Sequence, residues 1–453
     1  MTAIADKSAL ATLTRLVRMP ATWSTAADIA AILLALSLPW STTLVAVFAV
    51  LMLIAMVPFM DLEALLRSLK RPIAAVPIAL FVLAAIGTLW SPAPWGERLY
   101  AVGPTVKLLM LPFLFHHFER SERGQSIFMA FLISCALLSV MSWIVTWYPH
   151  FTMKQAGHAS RGIFVKDYID QSQEFTLCAV ALAYPAVTLF REGRTRGALL
   201  LCAAASLLVL TMAFIIVSRT ALVTMPIMLA VFGLMHLRWR TNLAIFCAVI
   251  ALAGLAWLAS PQLEWTVNTF GRDYRLYSEE GTSTSIGERL EYWKKSLRFF
   301  VEAPMIGHGT GSTRSLFEQA AAGPADHASA RIINNPHNQT LNVAVQWGIV
   351  GVLLLYAMWA LHLLAFRGES LANWIGLLVV VQNIFTSLFN SHLFDFHEGW
   401  MYVLGVGVAG GMVLKACAAG PTVGQAVPEP AGRVLARAGE IGYQHGRNVV
   451  ENS

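Results

Sequence analysis

Apolar blocks of roughly 17 to 21 residues recur along the whole sequence, and at about 1.5 Å of rise per helical residue each matches a bilayer core of about 30 Å. They fall near 24–40, 41–58, 72–91, 100–117, 126–148, 174–190, 197–217, 220–236, 242–259, 346–366, 371–390 and 397–415. A backbone in lipid finds no water to bond, so each block is read as a helix that closes its own hydrogen bonds. The predicted fold class is all-α: a polytopic membrane protein with about 12 transmembrane helices. Composition agrees, because only 13% of the 453 residues are charged, against about 25% in a soluble domain. The first block follows Lys7, Arg15 and Arg18 without a small-residue cleavage site, and a second block follows closely. It reads as an uncleaved span, not a signal peptide. The cysteines lie in or beside apolar blocks, with no CxxC spacing, so neither a disulfide framework nor a thiolate metal site is indicated.

Lys and Arg in short loops set orientation, because they resist translocation. Arg67, Lys70 and Arg71 follow the second block, Arg120 and Arg123 the fourth, Arg191, Arg194 and Arg196 the sixth, and Arg238 and Arg240 the eighth. These loops and both termini are therefore expected on the cytoplasmic side of the membrane. The net charge of +6 is explained by this topology, and no nucleic-acid partner is needed. The predicted organisation is transmembrane helices 1–9 over residues 1–259, a helical periplasmic segment over 260–345, helices 10–12 over 346–416, and a cytoplasmic tail over 417–453. That tail is rich in Gly, Pro and Ala, lacks an apolar period and is expected to be disordered. The 260–345 segment carries eight Lys or Arg and nine Asp or Glu, so an anion site there must depend on particular positions.

Within that segment, Ser285 and Glu288 have the spacing of a capping box, followed by apolar residues at Ile286, Leu290, Trp293, Leu297 and Phe300. An amphipathic helix is predicted, stopped by Pro304, with Gly307, Gly309 and Gly311 giving a flexible turn around His308. Arg289 at the edge of the stripe is either a surface ion pair or lipid anchor, or a ligand contact. Farther on, Asn335 can cap a helix with Pro336 first inside it and His337 in the first turn. The positive end of that helix would keep His337 neutral and able to accept a proton. The plainer alternative is a histidine that satisfies a loop carbonyl.

Arg219 stands in a tight outer hairpin, against the positive-inside trend, where it either snorkels or binds a phosphate in a bidentate fork. Arg161 and Lys166 share the shorter outer loop with Asp167 and Asp170 and read as solvated charges before anion contacts. Asp395 begins the last span and could orient a histidine or cap its helix. Lys107 inside the fourth block requires a partner or an aqueous cavity. No DxD pair or His-x-x-x-His spacing suggests a bound metal.

With these residues in view, the chain resembles the O-antigen ligase family of bacterial membrane glycosyltransferases. Three motifs carry the resemblance: SRTAL at Ser218 to Leu222, GERLEYWKKSLRFFVEAPMIGHGTG at Gly287 to Gly311, and PHNQTLNVAVQWGIVG at Pro336 to Gly351. The resemblance implies a GT-C-like enzyme that moves a polysaccharide from undecaprenyl diphosphate to a sugar of the lipid A core, without a metal or other cofactor. Carried over by motif, it implies substrate-binding roles for Arg219 and Arg289, with Arg161 assisting, and His337 as the general base. An O-antigen polymerase shares the donor chemistry and is the nearest alternative. A lipid-linked sugar flippase or other transporter is the alternative from a different class, although the notable charges here cluster at outer helix ends and not at the midplane.

Overall fold

The computed structural model describes residues 20–153, 162–324 and 326–419. Arg161, the amino-terminal basic residues and nearly all of the 417–453 tail lie outside the described residues. In chain order the helices are α1 (Pro20–Ser37), α2 (Thr42–Met56), α3 (Leu62–Leu69), α4 (Pro72–Ile86), α5 (Trp95–Val106), α6 (Met110–Phe118), α7 (Gly124–Trp147), α8 (Tyr168–Ala181), α9 (Ala183–Arg191), α10 (Thr195–Phe214), α11 (Arg219–His236), α12 (Trp239–Ala259), α13 (Pro261–Glu280), α14 (Ser285–Glu302), α15 (Thr313–Gln319), α16 (Gln339–Ala365), α17 (Leu371–Thr386) and α18 (Phe396–Ala418). Among the described residues, ten helical stretches are long and apolar enough to cross a membrane, and α1 and α17 are shorter apolar helices. Together they coincide with the twelve apolar blocks, and the chain is a multi-pass, all-α membrane protein.

Two spans begin earlier than their apolar blocks. The fourth starts at Trp95 and joins α5 to α6 through a 3-10 turn at Lys107–Leu109. The sixth starts at Tyr168, where the Asp167 carboxylate accepts from the backbone N–H of Ile169 at 2.7 Å and of Asp170 at 3.0 Å. Hydropathy missed this extension because Gln171, Ser172, Gln173 and Glu174 are polar yet fully buried against the bundle.

In lipid, helices associate through close packing more than through apolar burial. On α18, a Cβ added at Gly407 would lie 2.5 Å from Leu114, and one at Gly411 would lie 2.6 Å from Phe118. The small residues let α18 approach α6 closely. The core they join contains Leu34, Phe115, Trp347, Trp374 and Tyr402.

Helix α16 is kinked at Gly348, whose φ of 59° and ψ of −154° suit glycine. The kink admits the turn after α14. Backbone N–H groups of His308 and Gly309 donate to the carbonyls of Val345 and Gln346, both at 2.9 Å, while the N–H of Ile349 donates to Pro304 at 2.8 Å. The glycine turn around His308 was expected to be flexible, but these bonds splice it into the tenth span.

The start of α14 also differs from expectation. Thr284, not Ser285, is the N-cap and accepts from Gly287 N–H at 3.2 Å. Glu288 does not close a capping box, because it bonds the Ser283 hydroxyl and ion-pairs with Arg331 at 3.0 Å. The helix buries Gly287, Glu291, Tyr292, Lys295, Ser296 and Phe299, whereas Leu297 of the predicted stripe is 53% exposed. Packing against Tyr277 of α13 and Phe317 of α15 selects that face.

Candidate functional site

Successive spans alternate direction, so α8, α11, α16 and α18 all begin at the same end of the bundle. The candidate residues gather there. His337 lies before α16 and not in its first turn, because Asn338 is the N-cap and accepts from Leu341 N–H at 3.1 Å. Its backbone takes a left-handed φ of 51°, held by a bond from its N–H to the Asn335 side-chain oxygen at 3.0 Å. Such a conformation is rare for a residue with a Cβ and is typical of positions fixed by their surroundings.

A chain of side chains fixes the imidazole. Asn390 donates its amide N–H to Asp395 Oδ2 at 2.6 Å, which leaves Asn390 Oδ1 as an acceptor. His337 Nδ1 lies 2.8 Å from that oxygen, and Asn335 Nδ2 also donates to it at 3.3 Å. This pattern assigns the neutral ring's proton to Nδ1 and its lone pair to Nε2. The Tyr292 ring stacks on the imidazole with centroids 5.9 Å apart. Burial, then the nearby Arg289 charge, holds His337 below its ordinary range, while the bond to Asn390 pulls the other way.

Arg289 projects from α14 into the same region and is half-buried, and the charge of Arg219 reaches it. Among the described residues, no carboxylate offsets the Arg289 guanidinium, which argues against the surface ion pair considered from sequence. Arg219, the first residue of α11, is pinned by Asp273 at 3.1 Å, by the Thr269 hydroxyl at 2.9 Å and over the Phe270 ring at 4.6 Å. It therefore contributes a partly compensated charge in a fixed place.

Lys107 sits at the break between α5 and α6 and is 7% exposed. Its ammonium donates to the carbonyls of Phe394 and Asp395, tying the fourth span to the loop that carries Asn390. Burial pushes the Asp395 carboxyl up to about 7, against the pull of Lys107. Lys166 was read as a solvated charge and is instead buried, donating to the Leu38 carbonyl and lying 3.8 Å from Glu174. Asp170 of the same loop pairs with His397 Nδ1 at 2.7 Å.

Sequence reasoning missed Asn390 and Tyr292, read Asn335 as a helix cap where it instead holds the His337 backbone, and missed the buried group formed by Asp170, Glu174, His397 and Glu398. A signal was available in two places. The run YIDQSQEF opens the sixth span with polar residues, and NSHLFDFHEGW crowds ionisable groups against the start of the last one.

Residues 204–356 match the O-antigen ligase family model. This segment contains all three sequence motifs with Arg219, Arg289 and His337. The match supports a function of the O-antigen ligase and polymerase type for this multi-pass membrane protein. No curated protein matches the chain. Asp170, Asn390, Asp395 and Lys107 lie outside the matched segment and complete its surroundings.

Proposed function

We propose that the protein is a metal-independent, inverting O-antigen ligase that transfers polysaccharide from undecaprenyl diphosphate to a sugar hydroxyl of the lipid A core. The observation that carries this reading is the meeting of an imidazole with a free Nε2 and an uncompensated guanidinium at one bundle end. The basic loops lie at the opposite end, which favours a periplasmic site in the bacterial inner membrane.

In this reading His337 Nε2 takes the proton from the acceptor hydroxyl as its oxygen attacks the anomeric carbon. The bond from that carbon to the diphosphate breaks on the opposite face, and its electron pair leaves with the diphosphate oxygen. Arg289 and Arg219 stabilise the charge that grows there, and preorganised cations in a water-poor site do this better than solvent. Arg161 is a further diphosphate contact. Asp395 acts through Asn390 to hold the imidazole, and Lys107 holds the Asp395 loop.

Purified protein reconstituted with carrier-linked glycan and lipid A core, in the presence of a chelator, tests the reading. The expected result is a mass increase of the lipid A core acceptor. Lengthening of the glycan on its carrier, with an unchanged acceptor, would indicate a polymerase. Movement of carrier lipid across the bilayer without transfer would indicate a flippase.

A further inference from the structure

An amphipathic helix surrounded by water turns its apolar stripe toward the core, and α14 does the reverse. The side it turns into the protein carries Glu291, Tyr292, Lys295 and Ser296. The stripe left outward is apolar and keeps helical spacing: Leu290 and Trp293 are half-buried, Leu297 is exposed, and Val301 and, just beyond the helix, Met305 are 73% and 65% exposed. Contiguous apolar patches of this kind are uncommon on surfaces that face water. Lys294, Arg298 and Glu302 occupy the adjoining exposed strip, where Arg298 pairs with Glu302 at 3.6 Å. Polar and apolar strips thus run side by side, as on a helix at a membrane interface.

The depth of this stripe follows from its contacts with α16. Tyr292 stacks on His337 just ahead of α16, and the Pro304 carbonyl accepts from Ile349 N–H at 2.8 Å, one residue past the kink. Both stretches advance about twelve residues between those contacts, about 18 Å of helical rise, so α14 runs alongside the outer part of α16 in the same direction. Helix α16 has 27 residues, about 40 Å of rise, whereas a hydrocarbon core of about 30 Å takes about 20 residues. Counted back from Ala365, the core reaches Val345, so Val345–Val350 form its outermost turns. Met305 lies at that depth, because its carbonyl accepts from Val350 N–H at 3.3 Å. Val350 and Leu353 are themselves exposed along this span, and the lipid-facing surface of α16 continues through them onto Met305 and Val301.

Irregular backbone at membrane depth has to find its hydrogen-bond partners within the protein, and the turn after α14 does so. The N–H of Gly307 donates to Ala303 at 3.1 Å, that of Thr310 to Gly87 at 3.0 Å and that of Gly311 to Gln346 Oε1 at 2.8 Å, beside the bonds of His308 and Gly309 to α16. We propose that α14 is a membrane arm. Its last turns and the Met305–Ile306 turn dip into the leaflet at the His337 end of the bundle, where Leu297, Val301 and Met305 contact the acyl chains of phospholipids. The segment read from sequence as lying outside the membrane is anchored in it by this helix. The inference stands apart from the reaction proposed above, since it needs only the spans and the exposed stripe.

The test is nitroxide labelling of single introduced cysteines in the full chain, with the exposed Cys202, Cys247 and Cys417 changed to serine and the protein reconstituted in vesicles of phosphatidylethanolamine and phosphatidylglycerol. Collision rates of each label with oxygen, which concentrates in hydrocarbon, and with a water-soluble nickel chelate are compared. Val301→Cys and Met305→Cys should match Leu353→Cys of α16, with oxygen collisions severalfold above those with the chelate, while Lys294→Cys should show the reverse. Leu297→Cys carries the same comparison should either variant melt early. Chelate access at positions 301 and 305 equal to that at 294 overturns the membrane arm. Low access to both reagents means that protein, such as a second copy, covers the stripe, and overturns it as well.

Discussion

Asn390 is the residue whose removal tests the geometry of the base most sharply. It accepts from His337 Nδ1 at 2.8 Å and donates to Asp395 at 2.6 Å. Asn390→Ala deletes both bonds, frees the imidazole to change tautomer and leaves a buried carboxyl without its donor. An unsatisfied buried group costs about 1–3 kcal/mol, so the melting temperature should fall. Loss of the fixed tautomer and ring orientation should remove a similar amount from transition-state stabilisation, a drop in kcat of about 10- to 100-fold. The pH profile supplies an independent sign. In the proposed mechanism His337 acts while neutral, so activity should persist above its folded pKa and be lost as pH falls through it. The bond to Asn390 raises that pKa, so the acid limb in Asn390→Ala moves to lower pH even as the plateau drops. Single-turnover transfer at saturating donor, measured on protein still folded at the assay temperature, reads both effects. A plateau within about twofold of the wild type, or an acid limb that stays in place, would refute the proposed orientation.

Arg289→Gln should shift the acid limb the other way, toward higher pH, because the Arg289 charge depresses His337; donor affinity should fall in the same variant, as measured by equilibrium binding of the carrier-linked glycan. Gly348→Ala places a Cβ 2.4 Å from the Met305 carbonyl oxygen at a φ of 59°. It should destabilise the protein by at least about 2 kcal/mol, seen as early melting in detergent. Thr284→Ala should cost about 1 kcal/mol through loss of the α14 cap, whereas Ser285→Ala should leave the melting temperature nearly unchanged. The reverse order would restore the capping box read from sequence.

The spans were legible because lipid imposes one rule on every backbone group, and length and apolarity suffice to apply it. Boundaries failed where tertiary burial overrode hydropathy. The polar start of α8 packs inside the bundle, and the early start of α5 lies outside its apolar run. His337, Arg289 and Arg219 could be proposed from sequence because motif, helix-end position and charge against the topological trend all pointed to them. Asn390 was not, since an asparagine in a loop gives no signal until the fold sets it between His337 and Asp395. Lys166 was misread, and the partner of Asp170 went unseen, because sequence places them in an outer loop, where solvation is the default. Only the bond of Lys166 to the Leu38 carbonyl and the pairing of Asp170 with His397 show how the fold takes them out of solvent. The capping of α14 and α16 each shifted relative to expectation, to Thr284 and Asn338, and Asn335 instead accepts from the His337 N–H.

The central claim is that an uncharged His337 takes the acceptor proton while the arginines hold the diphosphate. Transfer by His337→Ala, compared with its equilibrium affinity for carrier-linked glycan, tests it most directly. Donor affinity should match the wild type while single-turnover transfer falls by at least about 100-fold, the scale of a general base. Transfer at nearly the wild-type rate in folded His337→Ala protein would contradict the account.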